Sequence, residues 1–555
     1  MSHQMLEKQI TILDYFSKWV RETPDEIFLT QPKGNTATDY NWRHVEKEVL
    51  YIVRTLQHHG YTRGDKIALL SSNCAEWIIY DIALMMGGYI SVPLYANVNA
   101  QTMAGILEDS EASLLLLGKI DREHWESQKH SIPKNTKSVA LPGSNCSGIM
   151  GWQDYKSPDK TITETIINPD DVLTIIYTSG TTGSPKGVVH THRSILNAVI
   201  TASEEVLLNR KGNRFVSYLP LSHAAERGLV EMGCLYCGGQ IFFVESTHNF
   251  QKNIKSARPT HFFGVPRIWE KFQTGILKQV SPIKLKILLK TPLLATWIKY
   301  RIKQSLGLDK AQVILSGAAP IAPELLIWFQ QLGINIREAY GLSENFNVIS
   351  MNPKDDIRTG TVGKLFENQD VYIDPETKEI RQKCNWLMKG YHNRPELTKK
   401  AIVNGYLHTG DMGHLSDDGF LSITGRVKDI FKTTKGEYIA PAPMERDFME
   451  IGAVDQACVM GSEYPQPFIL IGLSEIGKTN TKETIHELEN ALTSVNKNLM
   501  GYQKLKKVIV VKEEWTNEND LLTPTLKIKR NQLFQKYEPI MKELFDKEEL
   551  VSWEV

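Results

Sequence analysis

The sequence predicts an α/β protein with more than one domain, and three observations carry that expectation. Helical and strand patterns alternate through residues 1–170, as they do when helices cover a parallel sheet. A β-branched and aromatic run, Val172-Leu-Thr-Ile-Ile-Tyr177, leads into a loop rich in Gly, Ser and Thr. The chain has 555 residues, too many for one compact domain.

Each element is justified in turn. Trp42 to His59 has helical spacing and stops at Gly60, and Lys66-Ile-Ala-Leu-Leu70 reads as a strand. Glu76 to Met86 is a helix, followed by strands at Tyr89-Ile-Ser-Val-Pro93 and Leu114-Leu-Leu-Leu117. Asn135 to Lys160, rich in Ser, Pro, Gly and Lys, is expected to be a surface excursion. Trp77 to Val92 is apolar but carries Asp81 and Gly87-Gly88, so it belongs to a core and not to a membrane span.

Composition excludes several classes. Apolar content of 41% and charged content of 23% are those of a soluble globular protein. Basic and acidic residues both number 64, which argues against a general nucleic-acid binder. Six cysteines do not make a disulfide framework, and Cys234 and Cys237 lack a second pair for zinc, so buried thiols are expected. The N-terminal residues MSHQMLEKQITILDYF have no basic region followed by an apolar core, so the expected setting is cytoplasmic.

The loop Tyr177-Thr-Ser-Gly-Thr-Thr-Gly-Ser-Pro-Lys-Gly187 is laid out to hold phosphate. Glycines let the backbone approach, N–H groups and hydroxyls donate, and Lys186 adds a mobile charge. It is not a Walker A loop, because Lys186 follows Pro185 and precedes Gly187. A plain surface turn is the weaker reading of so many Thr-Gly pairs followed by Pro-Lys-Gly.

Further strings follow in order. Phe215-Val-Ser-Tyr-Leu-Pro-Leu-Ser-His223 is a strand entering a turn, with Ala-Ala-Glu226-Arg227 and an apolar helix behind it. A lone His beside an apolar helix is ordinarily a core residue. Val313-Ile-Leu-Ser-Gly-Ala-Ala-Pro320 is a strand entering a small-residue turn, against which a flat ring or acyl chain can lie. In Ile334-Asn-Ile-Arg-Glu-Ala-Tyr-Gly-Leu-Ser-Glu344 a Tyr ring can stack on adenine and a carboxylate near phosphates can hold magnesium. Glu376 to Thr398 reads as polar and irregular. Gly405-Tyr-Leu-His-Thr-Gly-Asp411 places a carboxylate after a glycine turn, where it suits the two hydroxyl donors of a ribose. Leu421-Ser-Ile-Thr-Gly-Arg426-Val-Lys428 and Lys432-Thr-Thr-Lys435-Gly436 read, taken alone, as charged hairpins. Leu522-Thr-Pro-Thr-Leu-Lys527-Ile-Lys-Arg530 closes the series.

The stretch Ser281 to Leu308 stands apart. It carries Lys284, Lys286, Lys290, Lys299, Arg301 and Lys303, no acidic residue, and interleaved Leu, Ile and Trp297. Leu294, Ile298 and Ile302 fall on one helical face. An ordinary surface helix with solvated lysines is the plainer reading; peripheral contact with the inner face of a membrane is the alternative.

These strings, in this order, resemble the motifs of the adenylate-forming superfamily, which includes acyl-CoA synthetases, luciferases and peptide-synthetase adenylation domains. The Leu-Pro-Leu-Ser-His-Ala-Ala-Glu-Arg and Arg258-Pro-Thr-His-Phe-Phe-Gly-Val-Pro-Arg-Ile-Trp-Glu270 strings are similar to its long-chain fatty acyl branch. The resemblance implies a large N-terminal domain, residues 1–427, of sheets flanked by helices with a distorted β-barrel subdomain. It also implies a small mobile α+β domain, residues 428–555, hinged at Lys428. The substrates implied are ATP, a fatty acid and coenzyme A, with Mg2+ as the metal. The acid is first joined to AMP with release of pyrophosphate, and the acyl group then passes to the thiol.

By resemblance, nucleotide binding falls to Thr178, Ser179, Gly180, Thr181, Thr182 and Gly183, and to Gly317, Ala318 and Ala319. It continues through Glu338, Ala339, Tyr340, Gly341, Leu342 and Ser343, with Asp411, Ile423 and Arg426 at the ribose side. Lys186, His223 and Lys527 are implied in catalysis, and Glu344 with Thr181 in holding the metal. His223, Val265, Ala339, Lys435 and Gly436 are implied for the acyl chain and coenzyme A. Three positions depart from the pattern. Ala339 stands where relatives often have Gly, Asn345-Phe346 replaces a small hydroxyl pair, and Leu526 replaces the Gly before the lysine, which leaves Lys529 as the rival to Lys527. Delivery of the acyl-adenylate to a separate carrier protein, and a catalytically idle acyl or nucleotide binder, are the competing functions. Acyl chain length and oligomeric state are not encoded in these strings.

Overall fold

The computed structural model describes residues 10–157, 162–178, 185–479, 481–497, 499–516, 519–523 and 527–554. Its class is α/β. An eight-stranded sheet runs in the order Gly390–Tyr391, Lys186–Thr191, Val172–Thr178, Ile90–Leu94, Lys66–Leu70, Leu114–Leu117, Lys137–Ala140, Met150–Gly151. Its middle is parallel and its strands are nearly all Val, Ile and Leu, as burial on both faces requires. Val172–Thr178 and Lys186–Thr191 are antiparallel, with Thr178 opposite Lys186.

The segment 135–160 is not the surface excursion expected. Lys137–Ala140 pairs in parallel with Leu114–Leu117, and Val139, Leu141, Trp152 and Tyr155 are buried. Its polar composition comes mainly from the largely exposed turns at 142–148, so the excursion is confined there, while Lys137–Ala140 and Trp152–Tyr155 send buried side chains to the core.

A nine-stranded sheet runs Lys364–Leu365, Ser350–Met351, Arg337–Tyr340, Val313–Ser316, His261–Gly264, Arg214–Ser217, Gln240–Phe243, Ile27–Lys33, Thr36–Asn41. Helices Trp42–His58 and Ala75–Met86 contribute to the shared core with residues of both sheets. Arg227, fully buried, ties the two layers: it pairs with Asp81 and Glu231 and donates to Thr174 Oγ1 at 2.7 Å. It begins a single π-helical turn, Arg227–Met232. Cys234 and Cys237 are buried free thiols.

Five antiparallel strands, Asp370–Ile373, Glu379–Lys383, Ile402–Val403, Tyr406–Leu415 and Leu421–Arg426, form the sheet that stands where the resemblance implies a distorted barrel. The passage 376–398 is therefore more ordered than its polarity suggests. It supplies one of these strands, the edge strand Gly390–Tyr391, and buried Ile380, Trp386 and Met388. Beyond it come the hairpin Phe431–Lys432 with Tyr438–Ile439 and a mixed sheet of Val454–Met460, Phe468–Leu473, Val508–Val511 and Val551–Trp553. Helices Ala442–Met449 and Thr481–Lys497 pack on one side of this sheet and Arg530–Phe545 on the other. Arg267 and Asp455 join this smaller unit to the larger one by an ion pair of 2.7 Å. Among the described residues, no helix is long and apolar enough to cross a membrane.

Candidate functional site

Asp411 and Arg426 lie 15 residues apart because they face each other across a hairpin. Their Cα atoms are partners in the pairing of Tyr406–Leu415 with Leu421–Arg426. Asp411 is thus a strand residue; the turn expected before it is reduced to Gly410 at φ +72°. Arg426 Nε donates to Asp411 Oδ1 at 2.7 Å, and the Tyr340 hydroxyl donates to Oδ2 at 2.8 Å. A carboxylate has about four lone-pair positions, so room remains for two hydroxyl donors. Ile423 packs with Tyr340 and Leu342 beside Ile349, Ile380 and Leu421.

Tyr340 and Glu338 lie on strand Arg337–Tyr340, beside Val313–Ser316, which ends at Gly317. A side chain at Gly317 would meet the Ala339 carbonyl at 3.0 Å, and Ala318 is at φ +66°. Ala318 and Ala319 are exposed, whereas Ala339 is half-buried against the main core. Gly341 is required by its own loop: a Cβ there would strike the Asn347 backbone at 2.2 Å. Ser316 Oγ and Glu338 Oε2 are buried without a hydrogen-bond partner among the described residues. Burial raises the Glu338 carboxyl to about 8. Two neighbouring strands therefore present unsatisfied polar atoms, which a ligand with donors and acceptors would satisfy.

Glu344 sits in the short 3-10 turn Ser343–Asn345. The Tyr391 hydroxyl donates to Glu344 Oε1 at 2.7 Å, and the Met388 N–H donates to its carbonyl at 2.7 Å. Lys186 Nζ stands 5.6 Å from the centre of the Tyr391 ring. His190, buried on the strand that carries Lys186, donates from Nε2 to the Ser343 carbonyl at 2.7 Å. Asn345-Phe346, the unusual pair, finds its own partners. Asn345 accepts from the Leu342 N–H at 2.8 Å and donates to Gln382 Oε1 at 2.7 Å, and Phe346 meets His190 edge-on at 5.3 Å.

The electrostatics show which charges share one space. The Lys186 pKa is lowered by enclosure and by Lys428, with Glu344 opposing. The Lys527 pKa is lowered by enclosure and by Arg426, with Asp411 and Glu344 opposing. Lys527 is exposed by area, so this enclosure is that of an open cleft and not of a sealed interior. Four cationic side chains thus face two carboxylates, and the surplus positive charge suits a polyanion.

Lys529 is elsewhere, paired with Asp520. Lys428 lies in the 3-10 turn Val427–Asp429 between Arg426 and the C-terminal hairpin. His223 is half-buried at the start of helix Ala224–Glu226, where Nδ1 accepts from the Ala225 N–H at 3.2 Å. Burial and the nearby Lys527 lower its pKa to about 4, so it is neutral with the proton on Nε2. Val265, half-buried, caps helix Pro266–Gln279.

Among the described residues, no cluster of three or more His, Cys, Asp or Glu could hold a metal. That fits magnesium, which commonly takes one or two carboxylates together with substrate phosphates. Lys435 and Gly436 are not part of the cluster's bonds. They stand exposed at the tip of hairpin Phe431–Lys432 and Tyr438–Ile439, with Gly436 at φ +88°. Ser179, Gly180, Thr181, Thr182, Gly183 and Leu526 lie outside the described residues; Thr178, half-buried, marks where the loop begins.

Comparison with family models matches residues 16–392 to "AMP-binding enzyme" and residues 428–549 to "AMP-binding enzyme C-terminal domain". The chain belongs to the AMP-binding enzymes. Fatty acyl-CoA synthetase A of Dictyostelium discoideum is 29% identical, over 91% of this chain and 86% of that one. Long-chain-fatty-acid–CoA ligase ACSBG2 of Gallus gallus is 28% identical, over 86% and 74%. The crystal structure of the anthranilate CoA ligase AuaEII with anthranoyl-AMP superposes with a TM-score of 0.76 at 19% identity, over 97% of this chain and 99% of that one. For this AMP-binding enzyme, two neighbours of the site went unread in the sequence, Tyr391 and His190. His190 follows the apolar Val188-Val189, and Tyr391 lies in a polar passage; nothing local tells which Tyr faces Glu344 or which His reaches the Ser343 carbonyl.

Proposed function

We propose that this chain is an ATP-dependent acid–thiol ligase that activates a fatty acid, long-chain by preference, to acyl-AMP and then forms acyl-CoA. One observation carries the reading. Lys527, from near the end of the chain, shares its electrostatic environment with Arg426, Asp411 and Glu344. A carboxylate attacking the α-phosphate of ATP must bring an anion to a polyanion. Lys186, Lys428, Arg426 and Lys527 would offset that repulsion before the reaction begins, with no reorganisation at the moment of attack.

In this reading Asp411 and Arg426 hold the ribose, Tyr340 and the Gly317 turn flank the base, and His223 donates from Nε2 to the acid. Glu344, oriented by Tyr391, would hold magnesium, which when bound supplies charge neutralisation at the phosphates. Pyrophosphate leaves, and the acyl–phosphate mixed anhydride is the product of the first half. For the second half, the smaller unit, residues 428–555, turns about Lys428. That motion withdraws Lys527 and brings in Lys435 and Gly436, the latter leaving room for a slender thiol arm. Lys527 shares its surroundings with Arg426, Asp411 and Glu344 while Lys435 and Gly436 stand exposed at a hairpin tip, and this difference supports two such poses.

The fatty acyl choice is supported by the names of the relatives and by the long-chain form of the His223 and Arg258–Glu270 strings. Transfer to a carrier protein in place of coenzyme A is the competing acceptor. Acid-dependent ATP–pyrophosphate exchange, run over straight-chain acids of increasing length with aromatic acids as controls, tests the first half. Coenzyme A is then compared with a phosphopantetheinylated carrier. Exchange that is strongest with aromatic acids, or absent with every acid, would overturn the reading.

A further inference from the structure

The basic stretch 281–308 folds as two helices, Pro282–Leu289 and Pro292–Leu306. The second is anchored: Ile298 and Leu306 are buried, and Ile302 packs with them against the core of the nine-stranded sheet. Gly307, at φ +76°, ends it where a side chain would strike the Ile254 backbone at 2.7 Å. Beyond the solvated lysines of the plainer sequence reading, the helix pair also leaves large apolar side chains outside. Ile283 is 75% exposed, Ile287 62%, Leu293 89%, Trp297 60% and Tyr300 50%. Ile283 and Ile287 are one turn apart, on the face opposite buried Leu285. Leu293, Trp297 and Tyr300 follow at i, i+4 and i+7, on the face opposite Ile298. Leu294, expected to share the buried face, is partly exposed.

Exposed Lys284, Lys286, Lys290 and Arg301 lie beside these apolar stripes, Lys299 and Lys303 lie over Gly333, and no acidic residue lies between Ser281 and Leu308. Arg301 stands 5.8 Å from the centre of the Trp297 ring. Enclosure and the like charge of Lys299 lower the pKa of Lys303, so the lysines crowd one another. An apolar tip with an aromatic ring and a single-sign collar of charge is costly in water. It matches a bilayer surface: acyl boundary for the side chains, anionic headgroups for the lysines, the interface for Trp297.

We propose that this helix pair docks the protein onto anionic bilayers, inserting Ile283, Ile287, Leu293 and Trp297 while Lys284, Lys286, Lys290 and Arg301 pair with headgroups. Docking needs no turnover, so it stands or falls apart from the ligase activity.

Co-sedimentation of the full chain is measured with phosphatidylcholine vesicles and with an equimolar phosphatidylcholine–phosphatidylserine mixture. Binding is expected only to the mixture and is expected to weaken with salt. Each of Lys284→Glu, Lys286→Glu and Arg301→Glu should lower the partition coefficient by about five-fold or more. Trp297→Ser with Leu293→Ser should abolish binding while leaving ATP–pyrophosphate exchange with a water-soluble acid at the wild-type rate, which shows that the variant is folded. Trp297 fluorescence should shift to the blue on mixing. Equal binding to both vesicles, or no binding, would overturn the proposal. So would a concentration-dependent dimer that the same double variant dissolves, since a second copy would then cover the face.

Discussion

Replacing Lys527 by Ala, beside Lys529 by Ala, is the sharpest test of the site. The Lys527 ammonium lies in an open cleft with Arg426, Asp411 and Glu344, and its charge also reaches His223. Removing one donor from a developing anion typically slows the step on the order of 100- to 1,000-fold. Lys186, Lys428 and Arg426 remain, so the lower end, about 100-fold, is expected for pyrophosphate exchange. Thioester formation from supplied acyl-AMP should survive, because no negative charge then needs to approach ATP. Lys529 instead pairs with Asp520 across a half-exposed surface, an interaction worth about 0–1 kcal/mol. Lys529→Ala should leave exchange within about two-fold of wild type. Equal loss of both half-reactions in Lys527→Ala, or a Lys529 variant that is the more impaired, would refute the assignment.

Two further outcomes are expected. Tyr391→Phe removes the hydroxyl that donates to Glu344, a charge-assisted bond worth about 1.5–3 kcal/mol; the magnesium concentration giving half-maximal exchange should rise roughly 10- to 100-fold, and an unchanged magnesium titration would count against the role given to Glu344. Burial raises the Glu226 carboxyl from 4.5 to about 8, so its contribution to stability is full below 4.5 and is lost as pH climbs through 8. Glu226→Gln keeps an acceptor for the Tyr218 N–H but cannot ionise. Urea midpoints should therefore show the variant gaining on the wild type from pH 5 to pH 8, by roughly 4 kcal/mol at most across the interval; a constant offset between the two would show that Glu226 does not titrate on unfolding.

The family, the order of its motifs and the α/β class were legible in the sequence because each motif is a short contiguous string whose chemistry is local. Thr-Gly-Asp411, Gly-Arg426 and the Tyr340–Glu344 string keep their residue types and spacing however the rest of the chain runs. Even the distance from Asp411 to Arg426 is local, since a single hairpin register sets it. Polarity misled the reading of 135–160 and 376–398, where a few buried apolar side chains, Val139, Trp152, Ile380 and Trp386 among them, stand between exposed turns and composition averages them away.

Other features depend on tertiary packing. Lys527 and Lys529 are two residues apart and chemically alike; a fold that turns one toward Arg426 and the other toward Asp520 separates them. Tyr391 reaches Glu344 because its edge strand pairs with Val188 and Val189, a contact between segments some 200 residues apart. Periodicity placed one apolar face on the helix at 292–306, but whether a second stripe finds a neighbour depends on what packs beside it. No local pattern carries that information, and here Leu293, Trp297 and Tyr300 are left facing outward.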